Sequence, residues 1–140
     1  MSEQCVFCEI ARGTQPASIV WEDALTLAFI DRRQFHPGHT LVIPRRHLAD
    51  VRELDYATGA ALMTSVARIS RAVAAAFPNQ GLSVWHSIGA AAGQEVAHLH
   101  VHVHARKVGD GLLRVYPSLA PEPDQATRDA YADTLRSYLD

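Results

Sequence analysis

Long apolar runs are missing from this 140-residue chain. None approaches the roughly 18 residues of a membrane-spanning helix. An excess of positive charge is missing too. Thirteen Lys and Arg against fifteen Asp and Glu leave a formal net charge of −2, which removes the electrostatic grip of a nucleic-acid binder. Met1-Ser2-Glu3-Gln4 lacks the basic and apolar regions of a secretion signal. The expectation is a cytoplasmic protein that binds neither nucleic acid nor membrane. Cysteine is scarce, only Cys5 and Cys8. In a reducing compartment a Cys-x-x-Cys pair reads as a metal or redox pair rather than a disulfide. Two small buried apolar residues are the inert alternative, and a tetrahedral zinc would need two further ligands. Internal repeats and low-complexity tracts are absent. At this length, with 48% hydrophobic residues, a single domain over 1–140 with its own core is expected.

Histidine, by contrast, is concentrated. In His98-Leu99-His100-Val101-His102-Val103-His104, four of the chain's eight histidines alternate with three β-formers. The side-chain period of a strand is two. A strand here would put all four imidazoles on one face and bury Leu99, Val101 and Val103 behind them. Such a row points to a metal site, to a histidine nucleophile with helper imidazoles, or to both.

The rest of the chain supplies a frame. Cys8 to Arg12 is helix-compatible and Gly13 is a stop. Ser18 to Trp21 and Thr26 to Ile30 read as a hairpin turning at Glu22-Asp23. Asp31 follows the second strand, placed either to cap a turn or to accept bonds from sugar hydroxyls. Phe35 to His39 is a turn, and Thr40 to Ile43 a third strand stopped by Pro44. Arg45-Arg46 is a solvated corner or a phosphate site, and His47 beside it is an available ligand. Glu53 to Phe77 is the main helix, with Asp55 as candidate N-cap and Leu62, Val66, Ile69 and Val73 on one face. Leu82 to Ser87 is a fourth strand. The Gly89 to Gln94 loop, all glycine and alanine up to Gln94, is a phosphate cradle or a plain connector. After an irregular Lys107 to Pro123, a last helix runs from about Gln125 to Tyr138. Grouped strands with helices between them predict an α+β fold, a mainly antiparallel five-stranded sheet with one long helix packed on it.

Gly93-Gln94-Glu95-Val96-Ala97-His98-Leu99-His100-Val101-His102-Val103 resembles the signature of the histidine triad family, with His104 where that pattern has an apolar residue. Cys5-Val6-Phe7-Cys8-Glu9-Ile10, Ala28-Phe29-Ile30-Asp31 and Gly38 to Pro44 match the family in order and spacing. Matching blocks run from Cys5 to Arg106, with 107–140 as a C-terminal extension. The resemblance implies a nucleoside phosphoramidase or nucleotidyl hydrolase acting as a homodimer on a purine nucleotide or nucleoside phosphoramidate. His100 matches the nucleophile, His102 its neighbour on the phosphate, and His39 completes the catalytic set. Phe29, Ile30 and Asp31 match the nucleoside pocket, with Asp31 on the ribose. Ser87, Gly93 and Gln94 match positions around the phosphate. Cys5, Cys8, His47 and His98 match the ligands of a structural Zn²⁺. The chain departs from the family at His86-Ser87-Ile88, where the pattern is amide-rich, and at His104-Ala105-Arg106.

The chemistry is reasonable without the name. A neutral imidazole with a reference pKa of about 6.5 is a good nucleophile near neutral pH. It can split a hard displacement at phosphorus into two steps through a covalent nucleotidyl-histidine. Loop amides and a protonated neighbouring histidine would stabilise the charge that develops. Two rivals remain at this stage. One is a zinc hydrolase with His98, His100 and His102 as ligands. The other is a zinc-stapled nucleotide- or partner-binding module with little turnover.

Overall fold

The computed structural model describes residues 4–139. Its elements are α1 (Val6–Arg12), β1 (Ile19–Glu22), β2 (Thr26–Ile30), β3 (Thr40–Pro44), α2 (Tyr56–Ala76), β4 (Gly81–Trp85), β5 (Val101–Arg106) and α3 (Gln125–Arg136), with 3-10 turns at Val51–Glu53 and Ala90–Ala92. The five strands form one sheet in the order β1-β2-β3-β5-β4, each neighbouring pair antiparallel. This is the expected α+β class. The chain divides into two compact units at Asp110/Gly111. The sheet, α1 and α2 make the first, and α3, capped by the Asp124 carboxylate, lies in the second. Among the described residues no helix is long and apolar enough to cross a membrane.

The predicted stripe positions α2. Leu62, Val66, Ile69 and Val73 are at most 5% exposed and pack on Ala28, Val42, Leu99, Val101, Val103 and Ala105 of the sheet side. Burying four such side chains contributes about 6–12 kcal/mol before chain entropy is counted. The helix starts at Tyr56, three residues later than expected. Asp55 is the cap: it holds an extended backbone and its carboxylate accepts the Thr58 N–H at 3.2 Å. Glu53 belongs instead to a 3-10 turn capped by Asp50.

The opposite face of the sheet carries the chemistry. Leu27, Phe29, Leu41 and Ile43 pack there under Cys5, Phe7 and Cys8. Register then sets His102 between Leu41 and Trp85, and His104 opposite Ser83.

The histidine strand is shorter than expected, since β5 begins at Val101 rather than His98. Carrying the β3 register onward would put Pro44 opposite Leu99, and proline has no N–H for the ladder. Leu99 N–H donates instead to the Leu48 carbonyl at 2.7 Å. The alternation survives, because Leu99 still joins the α2-facing core. The fourth strand likewise ends at Trp85, short of Ser87.

Candidate active site and metal-binding group

Cys5 caps α1, its sulfur accepting the Cys8 N–H at 3.4 Å. The Cys-x-x-Cys spacing thus holds both thiols on one helical turn. His98 donates its Nε2–H to the Pro44 carbonyl at 2.9 Å. That bond fixes the tautomer and leaves the Nδ1 lone pair facing Cys5 Sγ at 3.4 Å and Cys8 Sγ at 3.5 Å. His47 Nδ1 lies 3.3 Å from Cys8 Sγ. All four donor atoms fall within 4.8 Å of one another. A tetrahedral ion with metal–sulfur and metal–nitrogen bonds of about 2.3 and 2.1 Å sets a sulfur–nitrogen separation of about 3.5 Å, so the group fits one. The carbonyl behind His98 is the outer partner that ligating imidazoles need. Burial, with Cys5 alongside, pushes the Cys8 thiol pKa up. Burial pushes His98 down to about 4, helped by His47 and His100. This group can bind a metal ion.

Phe7 separates it from the second cluster, its ring edge-on to His98 at 6.0 Å and to His100 at 5.1 Å. His100 donates its Nδ1–H to the His98 carbonyl at 2.6 Å, so its lone pair is on Nε2. The His102 ring is 5.0 Å from that of His100 and lies flat on Trp85 at 4.3 Å. His102 Nδ1 is 2.9 Å from His39 Nε2, which is 3.7 Å from Asp31 Oδ2. The His104 ring is 4.6 Å from His39 and 5.7 Å from His36. His86 approaches His100 at 6.5 Å, and His47 meets His98 at 5.0 Å. All eight histidines are therefore linked by ring contacts, with Phe7 joining His98 to His100. Burial, reinforced by His100, His39, His86 and His104, pushes His102 down to about 3. Burial also lowers His39, against the pull of Asp31. Burial thus favours neutral His102 over the expected protonated neighbour, and the neutral ring has one N–H to give.

Residues 12–109 match the HIT domain family model. This chain belongs to the histidine triad family. It is 37% identical to "Protein hit" of Bacillus subtilis (strain 168), over 97% of each chain. It superposes on a crystal structure of a HIT family member from that species with a TM-score of 0.91, at 34% identity and 99% coverage of both chains. It is 32% identical to adenosine 5'-monophosphoramidase hnt1 of Schizosaccharomyces pombe, covering 86% of this chain and 89% of that one.

In this histidine triad protein His39 is aimed by its turn. Gly38 has φ +100°, and a Cβ there would lie 2.5 Å from Phe77 Cδ2. The Gln34 amide clamps the same turn, donating to the Asp31 and His39 carbonyls at 2.7 and 2.9 Å and accepting the Gly38 and His39 N–H groups at 2.8 and 3.1 Å. Asp31 takes the first of the two roles the sequence left open, the turn cap. Oδ1 caps the turn by accepting the Arg33 N–H at 2.9 Å, while Oδ2 faces His39. Phe29 and Ile30 are consecutive in a strand and so point to opposite faces. Phe29 is 3% exposed, against Phe7 at 5.3 Å.

Ser87 lies half-buried just past β4. The backbone N–H groups of Gly93 and Gln94, expected to aim at a phosphate, donate within the loop to the Ala90 and Gly89 carbonyls at 3.0 and 3.1 Å. The Gln94 side chain ties that loop down, accepting the Gly89 N–H at 2.8 Å and donating to the Ala49 carbonyl at 2.9 Å. Sequence reading missed Gln34 and Trp85. A tryptophan four residues before the loop was the available signal for Trp85, but its partner depends on strand register. His86 was noted only as a departure. Its Nδ1 is buried without a hydrogen bond, and burial lowers its pKa.

Proposed function

We propose that this protein is a nucleoside phosphoramidase or nucleotidyl hydrolase working through a covalent nucleotidyl-histidine on His100. The observation that carries the reading is the Nδ1–H bond from His100 to the His98 carbonyl. It keeps a proton on Nδ1, so the neutral ring has its lone pair on Nε2, the tautomer a nucleophile needs. In the first step Nε2 attacks the α-phosphorus of a purine nucleoside phosphoramidate. A nitrogen–phosphorus bond to His100 forms, the bond to the leaving amine breaks, and the amine departs with a proton. In the second step water attacks the same phosphorus. The bond to His100 breaks, a proton goes to solvent, and a nucleoside monophosphate leaves.

When His39 donates Nε2–H to His102 Nδ1, His102 holds its own proton on Nε2 and can give it to a phosphate oxygen. Asp31 accepts from the ribose, Phe29 backs the nucleoside on the active-site face of the sheet while Ile30 faces away, and Ser87, Gly93 and Gln94 border the phosphate. Cys5, Cys8, His47 and His98 hold a structural Zn²⁺ that ties α1 to the sheet, as their mixed sulfur and nitrogen donor set suits. The working form is a homodimer, and the cytoplasm is a compartment that keeps both thiols reduced. The phosphoramidase activity named for the fission-yeast relative supports the substrate class. The catalytic-zinc rival is disfavoured, because His98 turns its lone pair to the sulfurs and away from an ion shared with His100 and His102.

Intact-mass analysis of protein quenched without acid during turnover of adenosine 5'-phosphoramidate tests the proposal. The expected result is a nucleotidylated peptide at His100. Turnover with no adduct under single-turnover conditions, or no turnover at all, overturns it.

A further inference from the structure

We propose that Asp31, His39 and His102 form a second divalent-cation site, with two nitrogen ligands and one oxygen, distinct from the cysteine-bearing group. Asp31 Oδ2, His39 Nε2 and His102 Nδ1 converge within 4.8 Å of one another. With both rings neutral, the hydrogen bond between the two nitrogens holds one proton, and the accepting nitrogen and the carboxylate oxygen supply lone pairs. Neutral is the state burial favours for both histidines. A cation can take the place of that proton. Two nitrogens 2.9 Å apart subtend about 90° at an ion roughly 2.1 Å from each, the angle between neighbouring ligands of a six-coordinate ion.

The three side chains are also held before any ion arrives. Asp31 is pinned through Oδ1 to the Arg33 N–H, His39 by the Gln34 clamp, and His102 by its stack on Trp85. Side chains of His39 and Asp31 are 12% and 19% exposed, so solvent reaches them. Without sulfur, the donor set suits borderline cations such as Co²⁺, Ni²⁺ or Zn²⁺ rather than softer ones. An ion here uses Asp31 Oδ2, the carboxylate oxygen that the proposed function gives to the ribose, so ion and nucleotide compete for Asp31. That competition rests on the proposed function; the site itself does not.

The test is a Co²⁺ titration of protein already holding one Zn²⁺ in the cysteine-bearing group, followed by calorimetry and visible absorption. The cation-affinity order places Zn²⁺ above Co²⁺, so the first ion stays. The expected result is one further equivalent of Co²⁺ with weak visible bands and without the intense near-ultraviolet bands of cobalt–thiolate bonds. Asp31→Asn should weaken that binding about tenfold or more, and His102→Gln should do so independently, each with its one zinc retained. Absence of a second equivalent, or a second equivalent indifferent to both substitutions, overturns the site. Adenosine 5'-monophosphate should raise the apparent Kd for Co²⁺. If the ion binds as expected and the nucleotide has no effect, the site stands and the assignment of the nucleotide to it falls.

Discussion

The metal-binding group and the active-site row are built from the same side chain, and they differ in which ring nitrogen is spent. His98 and His100 are two residues apart, and each gives one N–H to a backbone carbonyl. His98 gives Nε2–H and turns Nδ1 to two sulfurs, while His100 gives Nδ1–H and leaves Nε2 open. One is closed among ligands and the other presents a lone pair. A carbonyl at the right height thus decides which ring nitrogen stays open, and with it the proposed roles of ligand and nucleophile, with no change of residue type.

The largest effect should come from breaking the open side. His100→Ala is expected to lower phosphoramidate turnover by about a thousandfold or more and to abolish the adduct, with metal content unchanged. Steady-state rates, intact mass and metal analysis read this directly. Retained adduct, or loss of metal, would dissolve the distinction between the two histidines.

Breaking the closed side should act on stability instead. Chelation, or Cys8→Ala, is expected to remove the ion and cost several kcal/mol, seen as a lower melting temperature. Turnover measured well below that temperature should persist. Activity lost from protein that is still folded would make the ion catalytic.

Phe7 stands between the two sides at 7% exposed. Phe7→Ala should cost about 3–5 kcal/mol in urea unfolding and weaken metal retention, since α1 carries both thiols. Unchanged stability would show that the two clusters need no spacer.

Acid should act more gently. His102 has a folded pKa of about 3 against about 6.5 in an unfolded chain, and His39 is shifted the same way. Below about pH 6.5 the unfolded chain takes up protons that the fold refuses, so this stability is intact above that pH and is lost as pH falls towards 3. Each such histidine contributes at most about 1.4 kcal/mol per pH unit. Melting temperatures should be flat from pH 8 to 7 and fall below about 6.5. A rise on acidification would mean the row is protonated when folded.

The smallest effect belongs to the stack. Trp85→Leu should cost about 0.5–1.5 kcal/mol and let the His102 pKa climb from about 3 towards its ordinary value, as followed by NMR titration. A fixed pKa would assign the shift to the neighbouring imidazoles alone.

What could be seen in the chain beforehand was whatever repeats at a fixed period or binds close in sequence. The alternation at His98 to His104, the Leu62 to Val73 stripe and the Asp55 cap are all of that kind, and they settled the fold class. What could not be seen depends on register or on which way a backbone amide turns. Trp85 meets His102 only because β4 and β5 pair as they do. The Gly93 and Gln94 amides turn inward because a 3-10 turn at Ala90–Ala92 claims them. The same limit applies to Phe29 and Ile30, whose apolar character was plain but whose opposite faces follow from the strand.

Gly38 carries a consequence for how this site can drift in evolution. Its backbone lies where side chains are strained, and its open space is already filled by Phe77. Shrinking Phe77 would free the volume but not the backbone, so no compensating change at that position makes another residue comfortable at 38. His39 is therefore anchored by a neighbour that lacks a ready substitute. Under the proposed function, variation in substrate choice falls to other residues, such as the His86 to Ile88 segment, where the resemblance to the family pattern breaks.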